Sequence, residues 1–203
     1  MQSETSRIEA FSDGVFAIAI TLLILEIKIP SPQQGSLRVA LGQQWPSYMA
    51  FLLSFVYIGV MWINHHRMFI HIRKSNEGLM ILNVLLLLGV TAVPFPTAVL
   101  AAHLSHPERR TAALIYNATF VAIALLFNLL WRYAVSHNLV DKNLSASAEQ
   151  ISRQYAVGPL LYLGCMALAW INVPVSVAAN IALALYFALP PSLMKKRSTF
   201  PNS

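Results

Sequence analysis

The chain has 203 residues, of which 57% are hydrophobic and only 11% charged, against roughly 25% charged in an average soluble domain. That composition excludes a soluble domain, because uncharged stretches recur at the length that crosses a bilayer, about 20 residues for a ~30 Å core. The net charge of +6 requires no nucleic acid partner, since Lys and Arg beside membrane spans set topology and meet anionic lipid. An all-α, multi-pass membrane protein follows, with six spans forming a single unit over 1–203.

The first span is expected near 8–28. Residues 7–14 read Arg-Ile-Glu-Ala-Phe-Ser-Asp-Gly and run directly into the apolar segment Val15 to Leu25. A charge at the centre of a spanning helix costs roughly 2.5–3.5 kcal/mol even on the lenient insertion scale. Arg7, Glu9 and Asp13 are therefore expected at a helix end, paired or facing protein. Only Gly14 to Leu25 is free of charge before Glu26 and Lys28, too short a run for an independent lipid-facing helix. The economical arrangement puts this helix at the centre, shielded by the other five.

Helical spacing of 100° per residue places Ile18, Leu22 and Leu25 on one stripe with Thr21 beside them. Gly14 and Phe11 continue that face towards the N-terminus, and Ala17 and Ala19 flank it as small residues that admit a close backbone. Copies of this helix around an axis would form a narrow aliphatic ring, which stops ions by dewetting. Thr21 would then offer the one hydroxyl within the greasy length to a partly dehydrated cation. Periodicity alone leaves ordinary packing open, with Thr21 bonding a carbonyl one turn back.

Pro30 to Gln44, with Pro32 and Gly35, is expected to be an irregular loop. The second span, near 46–68, ends in Trp62-Ile63-Asn64-His65-His66, with His71 close by. Three histidines raise a metal site, but their spacing is poor and no carboxylate lies four residues from any of them. Helix-end histidines bonded to backbone or to Asp13 are expected instead, with no metal and no cofactor. The third span, near 78–102, carries Pro94 and Pro96 as an expected kink. His103 and His106 follow in a loop.

The remaining spans are expected near 111–135, 154–172 and 175–194, the last two separated by a turn at Asn172-Val173-Pro174. Cys165 is alone, so it reads as a small apolar packing residue. Asn117 and Asn143 match the glycosylation pattern by chance, one within a span and one on the inner side. The segment before Arg7 is too short and polar for a cleaved signal. With the N-terminus inside, Arg7, Arg67, Arg73, Lys74, Arg132, Lys142, Arg153, Lys195, Lys196 and Arg197 face the cytoplasm. Only Lys28, Arg38, Arg109 and Arg110 lie outside, a clear positive-inside bias that makes both termini cytoplasmic in a cell membrane.

The run from Arg7 to Leu23, an Arg followed after three residues by Phe-Ser-Asp and then a matching helix, resembles the signature of the transmembrane protein 175 family. Trp62 and His66 resemble the Trp and His that close the family's second helix. These are potassium channels of endosomes and lysosomes with shorter bacterial relatives. Animal members carry two six-span repeats and pair as dimers, whereas single-repeat bacterial members form tetramers. The resemblance therefore implies a homotetrameric, K+-permeable channel with the first helix lining the pore. It implies that Ile18 forms the constriction, with Leu22 and Leu25 narrow one and two turns on. Thr21 takes the position linked to cation preference. No Gly-Tyr-Gly filter occurs, so selectivity is expected to be modest.

Arg7, Phe11, Ser12, Asp13, Gly14, Trp62 and His66 form the implied structural motif. Arg7 and Asp13 lie six residues apart, too far to pair directly, and are expected to bond neighbouring helix ends, with Trp62 or His66 as candidate partners. The rival reading is a proton-coupled secondary transporter using Asp13 and a buried histidine as relay. A membrane enzyme built on the histidine cluster is a third class, and no catalytic motif supports it.

Overall fold

An uncharged stretch away from water can satisfy its own backbone only as a helix, and every expected span is helical over its described residues. The structure is a computed structural model that describes residues 5–31, 35–141 and 145–188, by backbone alone over 145–150. Pro32, Lys142, Asn143, Lys195, Lys196, Arg197 and the expected span end at 189–194 lie outside the described residues.

Helix α1 (Ser6–Leu22) tightens into a 3-10 turn at Leu23–Glu26. It is followed by α2 (Leu37–Gln43), α3 (Trp45–His71), α4 (Glu77–Ala92) and α5 (Pro94–His103). Then come α6 (Arg109–Ser136), α7 (Ser145–Ile171) and α8 (Val173–Ala188). Among the described residues, five units are long and apolar enough to cross a membrane: 6–26, 45–71, 77–103, 109–136 and 151–171, with α8 a shorter apolar helix. The loop expected to be irregular contains α2, a correction: Ser36 is extended and Leu37 to Gln43 close a short helix that polar composition did not signal. Helix α7 starts at Ser145 rather than 154, because hydropathy marks the apolar part of a helix and not its whole length.

Proline positions account for the irregularities. Pro94 opens α5 and the backbone breaks at Val93, whose N–H bonds the carbonyl of Val90 at 3.2 Å. Pro159 lies inside α7 and leaves the Tyr155 carbonyl, one turn back, without its helical donor. Asn128 supplies the missing bond, its Nδ2 donating to Tyr155 O at 2.9 Å. The turn expected at Asn172-Val173-Pro174 separates α7 from α8, and the Asn172 side chain accepts from Val175 N at 3.2 Å.

The bundle core joins an aromatic stack to a polar knot. Tyr57 on α3 stacks on Phe120 of α6 with ring centres 4.3 Å apart. Its hydroxyl donates to the Asn180 carbonyl and Oδ1, both at 2.8 Å. Asn180 Nδ2 donates to Asn117 Oδ1 at 3.0 Å, and Ser54 bonds Thr97 at 2.7 Å and Tyr116 at 3.0 Å. Four helices are tied by groups that each find a partner, as buried polar atoms in an apolar setting must. Asn117 is buried inside α6 and bonds the Ala113 carbonyl, in keeping with a chance glycosylation match.

Helices α4 and α6 meet closely at Gly89, where a Cβ would stand 3.0 Å from Ile123 Cγ1. Gly89→Leu is expected to separate the two helices and to cost about 1–3 kcal/mol by overpacking. A fall in the Tm of the detergent-solubilised protein, larger than for Gly164→Leu where a Cβ meets open space, checks this.

At the end that carries Arg7, two connections are tied together. Ile72 bridges Val140, Arg73 N donates to Leu139 O at 2.9 Å, and Arg73 Nε lies 3.8 Å from Asp141 Oδ2.

Candidate functional site

Helix α1 has two unlike faces. Ser12, Phe16 and Ala19 are buried at helical spacing against α3 and α4. The opposite stripe is open: Phe11 is 61% exposed, Ile18 59%, Leu22 42% and Leu25 61%. Gly14 belongs to the open side too, where a Cβ would meet nothing within 4 Å. Within the single chain α1 thus lies on the flank of the bundle, covered on one side only. The expected shielding by all five other spans does not arise inside a single chain; a central place for α1 requires further copies.

Thr21 is exposed beside Ile18, and its hydroxyl donates to the Ile18 carbonyl at 2.9 Å. The local bond uses the proton and leaves the oxygen lone pairs facing outwards. A back-bonded threonine and a cation-facing oxygen are therefore compatible at this position.

The charged end of α1 is clasped to α3 by antiparallel register. Glu9 and Asp13 are four residues apart, as are Trp62 and His66, so each pair occupies one helix face. Trp62 Nε1 donates to Asp13 Oδ1 at 2.8 Å, and His66 Nδ1 approaches Glu9 Oε2 at 3.9 Å. The Trp62 and His66 rings lie nearly parallel, 20° apart in plane. Of the two partners considered for Asp13, the structure brings up Trp62. Arg7 is placed elsewhere, lining a cavity of about 450 Å³ with Phe11, Ser75, Met80 and Asn83.

Beneath this clasp runs a buried chain of bonds. Asn83 Oδ1 faces His65 Nε2 at 2.8 Å, Asn83 Nδ2 donates to Ser12 Oγ at 3.0 Å, and Ser12 Oγ donates to Ile8 O at 2.7 Å. His65 is further held between Phe16, edge-on at 5.4 Å, and Phe69, stacked at 4.4 Å. This corrects the histidine expectation. His65 bonds an asparagine side chain rather than backbone or Asp13, and His71 meets Trp131 edge-on at 6.4 Å. The three rings diverge because each looks at a different neighbour. Asn83, and with it the partner of His65, was missed because a scan for Asp, Glu, Lys and Arg passes over asparagine. An amide deep within an uncharged span is itself the signal, since it must be bonded there.

Architecture and site together define the class: an α-helical, multi-pass membrane protein whose first helix presents an uncovered aliphatic face above a polar clasp. The model of the endosomal/lysosomal potassium channel TMEM175 family matches residues 7–94. A potassium channel of Chamaesiphon minutus is 51% identical over 193 residues, covering 93% of this chain and 95% of that one. One of Streptomyces collinus is 46% identical, covering 91% and 92%. The crystal structure of a lysosomal potassium-selective channel TMEM175 homologue from Chamaesiphon minutus superposes with a TM-score of 0.85 at 50% identity, covering 92% of this chain and 97% of that one. The human endosomal/lysosomal proton channel TMEM175 is 36% identical over 141 residues, or 64% of this chain and 28% of the human one. The chain belongs to the TMEM175 family of potassium channels.

Proposed function

We propose that the protein is a potassium-permeable, weakly selective cation channel, formed as a homotetramer around α1 in the cell membrane with both termini cytoplasmic. The uncovered stripe of Ile18, Leu22 and Leu25 is the observation that carries this reading. A continuous aliphatic face is stable only when lipid or another protein surface covers it. The two bacterial relatives named as potassium channels favour the second. Ile18 then forms the constriction, Leu22 and Leu25 extend it, and Thr21 biases the choice among dehydrating cations. Arg7, Phe11, Ser12, Asp13, Gly14, Trp62 and His66 serve assembly rather than conduction. The charge bias supports the orientation, because Arg7, Arg67, Arg73, Lys74, Arg132 and Arg153 lie at one end of the helices and Lys28, Arg38, Arg109 and Arg110 at the other.

Purified protein in liposomes, assayed separately for K+, Na+ and H+ flux, tests the reading. Passive K+ flux that tracks the gradient is expected, with smaller Na+ flux; no K+ flux would end the proposal. Thr21→Val should move the reversal potential in mixed K+/Na+ towards equality, and an unmoved value removes Thr21 from selectivity. Proton conduction is a second reading, favoured by the name of the human relative. A proton-coupled carrier has less support: Asp13 bonds Trp62 and His65 bonds Asn83, so no relay joins the two through these bonds. Saturating flux that needs a counter-ion would reverse that judgement.

A further inference from the structure

At the end of the bundle opposite Arg7, the start of α6 and the α7–α8 turn enclose a cavity of about 540 Å³ lined by Glu108, Arg109, Arg110, Thr111 and Asn172. The size suits a small polar ligand or headgroup. Its charge is uneven. Glu108 Oε2 already accepts from Thr111 Oγ1 at 3.1 Å, whereas neither arginine makes an ion pair among the described residues. The Arg110 guanidinium lies 5.8 Å over the Trp170 ring, a contact that leaves its charge unneutralised. Arg109 and Arg110 both line this hollow, and guanidinium donors match the paired oxygens of a phosphate group.

Depth points the same way. Trp170 is 62% exposed and its neighbour Ile171 78%, on the helix end where an amphipathic ring meets the headgroup layer. Ile171 lines the cavity as well, which places the cavity at the same helix end.

The geometry points to a phosphate-binding site formed by Arg109, Arg110 and the α7–α8 turn, whose ligand is the phosphodiester of an anionic lipid headgroup or a free phosphate ion. Neither the ion pathway nor the clasp takes part. The site stands or falls independently of channel activity.

The test is the apparent Tm of the whole detergent-solubilised protein, titrated with phosphatidylglycerol and, separately, with inorganic phosphate against chloride of equal ionic strength. A ligand that binds the folded state alone raises Tm in a saturable way. Wild type is expected to show that rise, the Arg109→Gln/Arg110→Gln protein to lose it, and Arg38→Gln, a distant cation at the same end, to keep it. A rise with both ligands identifies free phosphate as sufficient, and a rise with phosphatidylglycerol alone identifies the lipid. Arg109→Lys/Arg110→Lys keeps the charge but not the paired donors, so its affinity should fall several-fold. Should the glutamine protein fail to fold, this lysine protein decides, and binding as tight as wild type would overturn the site. No rise in wild type, or a rise that survives in the glutamine protein, overturns it as well.

Discussion

Replacing Ile18 by asparagine is expected to raise the K+ current about tenfold, the equivalent of removing ~1.4 kcal/mol from the barrier to passage. An aliphatic ring blocks ions because a hydrated cation gains nothing from methyl groups in return for shed water. An amide at the same place holds water in the ring and keeps the path wet. Asparagine has as many side-chain heavy atoms as isoleucine but is slimmer at Cβ, so the change acts on polarity first and on width second. Selectivity for K+ over Na+ should fall with the barrier, since a wetter ring asks for less dehydration. Ile24→Asn is the control, because Ile24 is 53% exposed on the next turn but off the stripe. Single-channel conductance and reversal potential of both proteins check the claim. Unchanged conductance in Ile18→Asn, or an equal rise in Ile24→Asn, would remove Ile18 from the constriction.

That stripe was legible because its signal is local. A run without charges and a spacing of three and four residues identify both the helix and its open face. The break at Val93 and the turn at Asn172 were equally readable, since proline acts on its own backbone wherever it stands. Pairing is a different matter. The ionisable residues of the clasp could be named from their cost in a membrane, yet their partners depend on how α1 and α3 slide past one another. The antiparallel register sets Trp62 against Asp13 and His66 against Glu9, and only the placement of α3 against α1 decides it. The same holds for Asn83, Asn117 and Asn180. Each stands in an uncharged stretch, where it gives no sign of its partner, and the bonds that explain it come from residues far away in the chain. Even the position of α1 in the bundle follows this rule. Its charge-free run is short, yet the whole unit 6–26 is long and apolar enough to cross a membrane, so run length alone did not say what covers its open face.

Asn83→Leu is expected to loosen α1 from the bundle and to lower Tm, more than its single side chain suggests. The amide joins three helices in one directed chain: His65 Nε2–H to Asn83 Oδ1, Asn83 Nδ2–H to Ser12 Oγ, and Ser12 O–H to the Ile8 carbonyl. Leucine keeps the branching and the number of side-chain heavy atoms, with somewhat more bulk, and removes both central bonds at once. His65, Ser12 and Asn83 are all buried, so a ring N–H loses its acceptor where water does not replace it. A buried group left unsatisfied costs about 1–3 kcal/mol, against an average near 0.6 kcal/mol for an interhelical bond measured within a membrane protein. The first figure applies here, because the flanking Phe16 and Phe69 rings offer His65 no alternative acceptor. Ser12→Ala should cost less, since Ser12 sits at the far end of the chain and its loss leaves the His65–Asn83 bond intact. Adding Ser12→Ala to Asn83→Leu should then cost almost nothing more, the non-additivity expected of residues in one network. Basal K+ flux should change in Asn83→Leu as well, because the same helix that is untied carries Ile18 on its other face. Strictly additive Tm changes, together with wild-type flux in Asn83→Leu, would mean that the bonds merely fill space and do not hold the first helix in place.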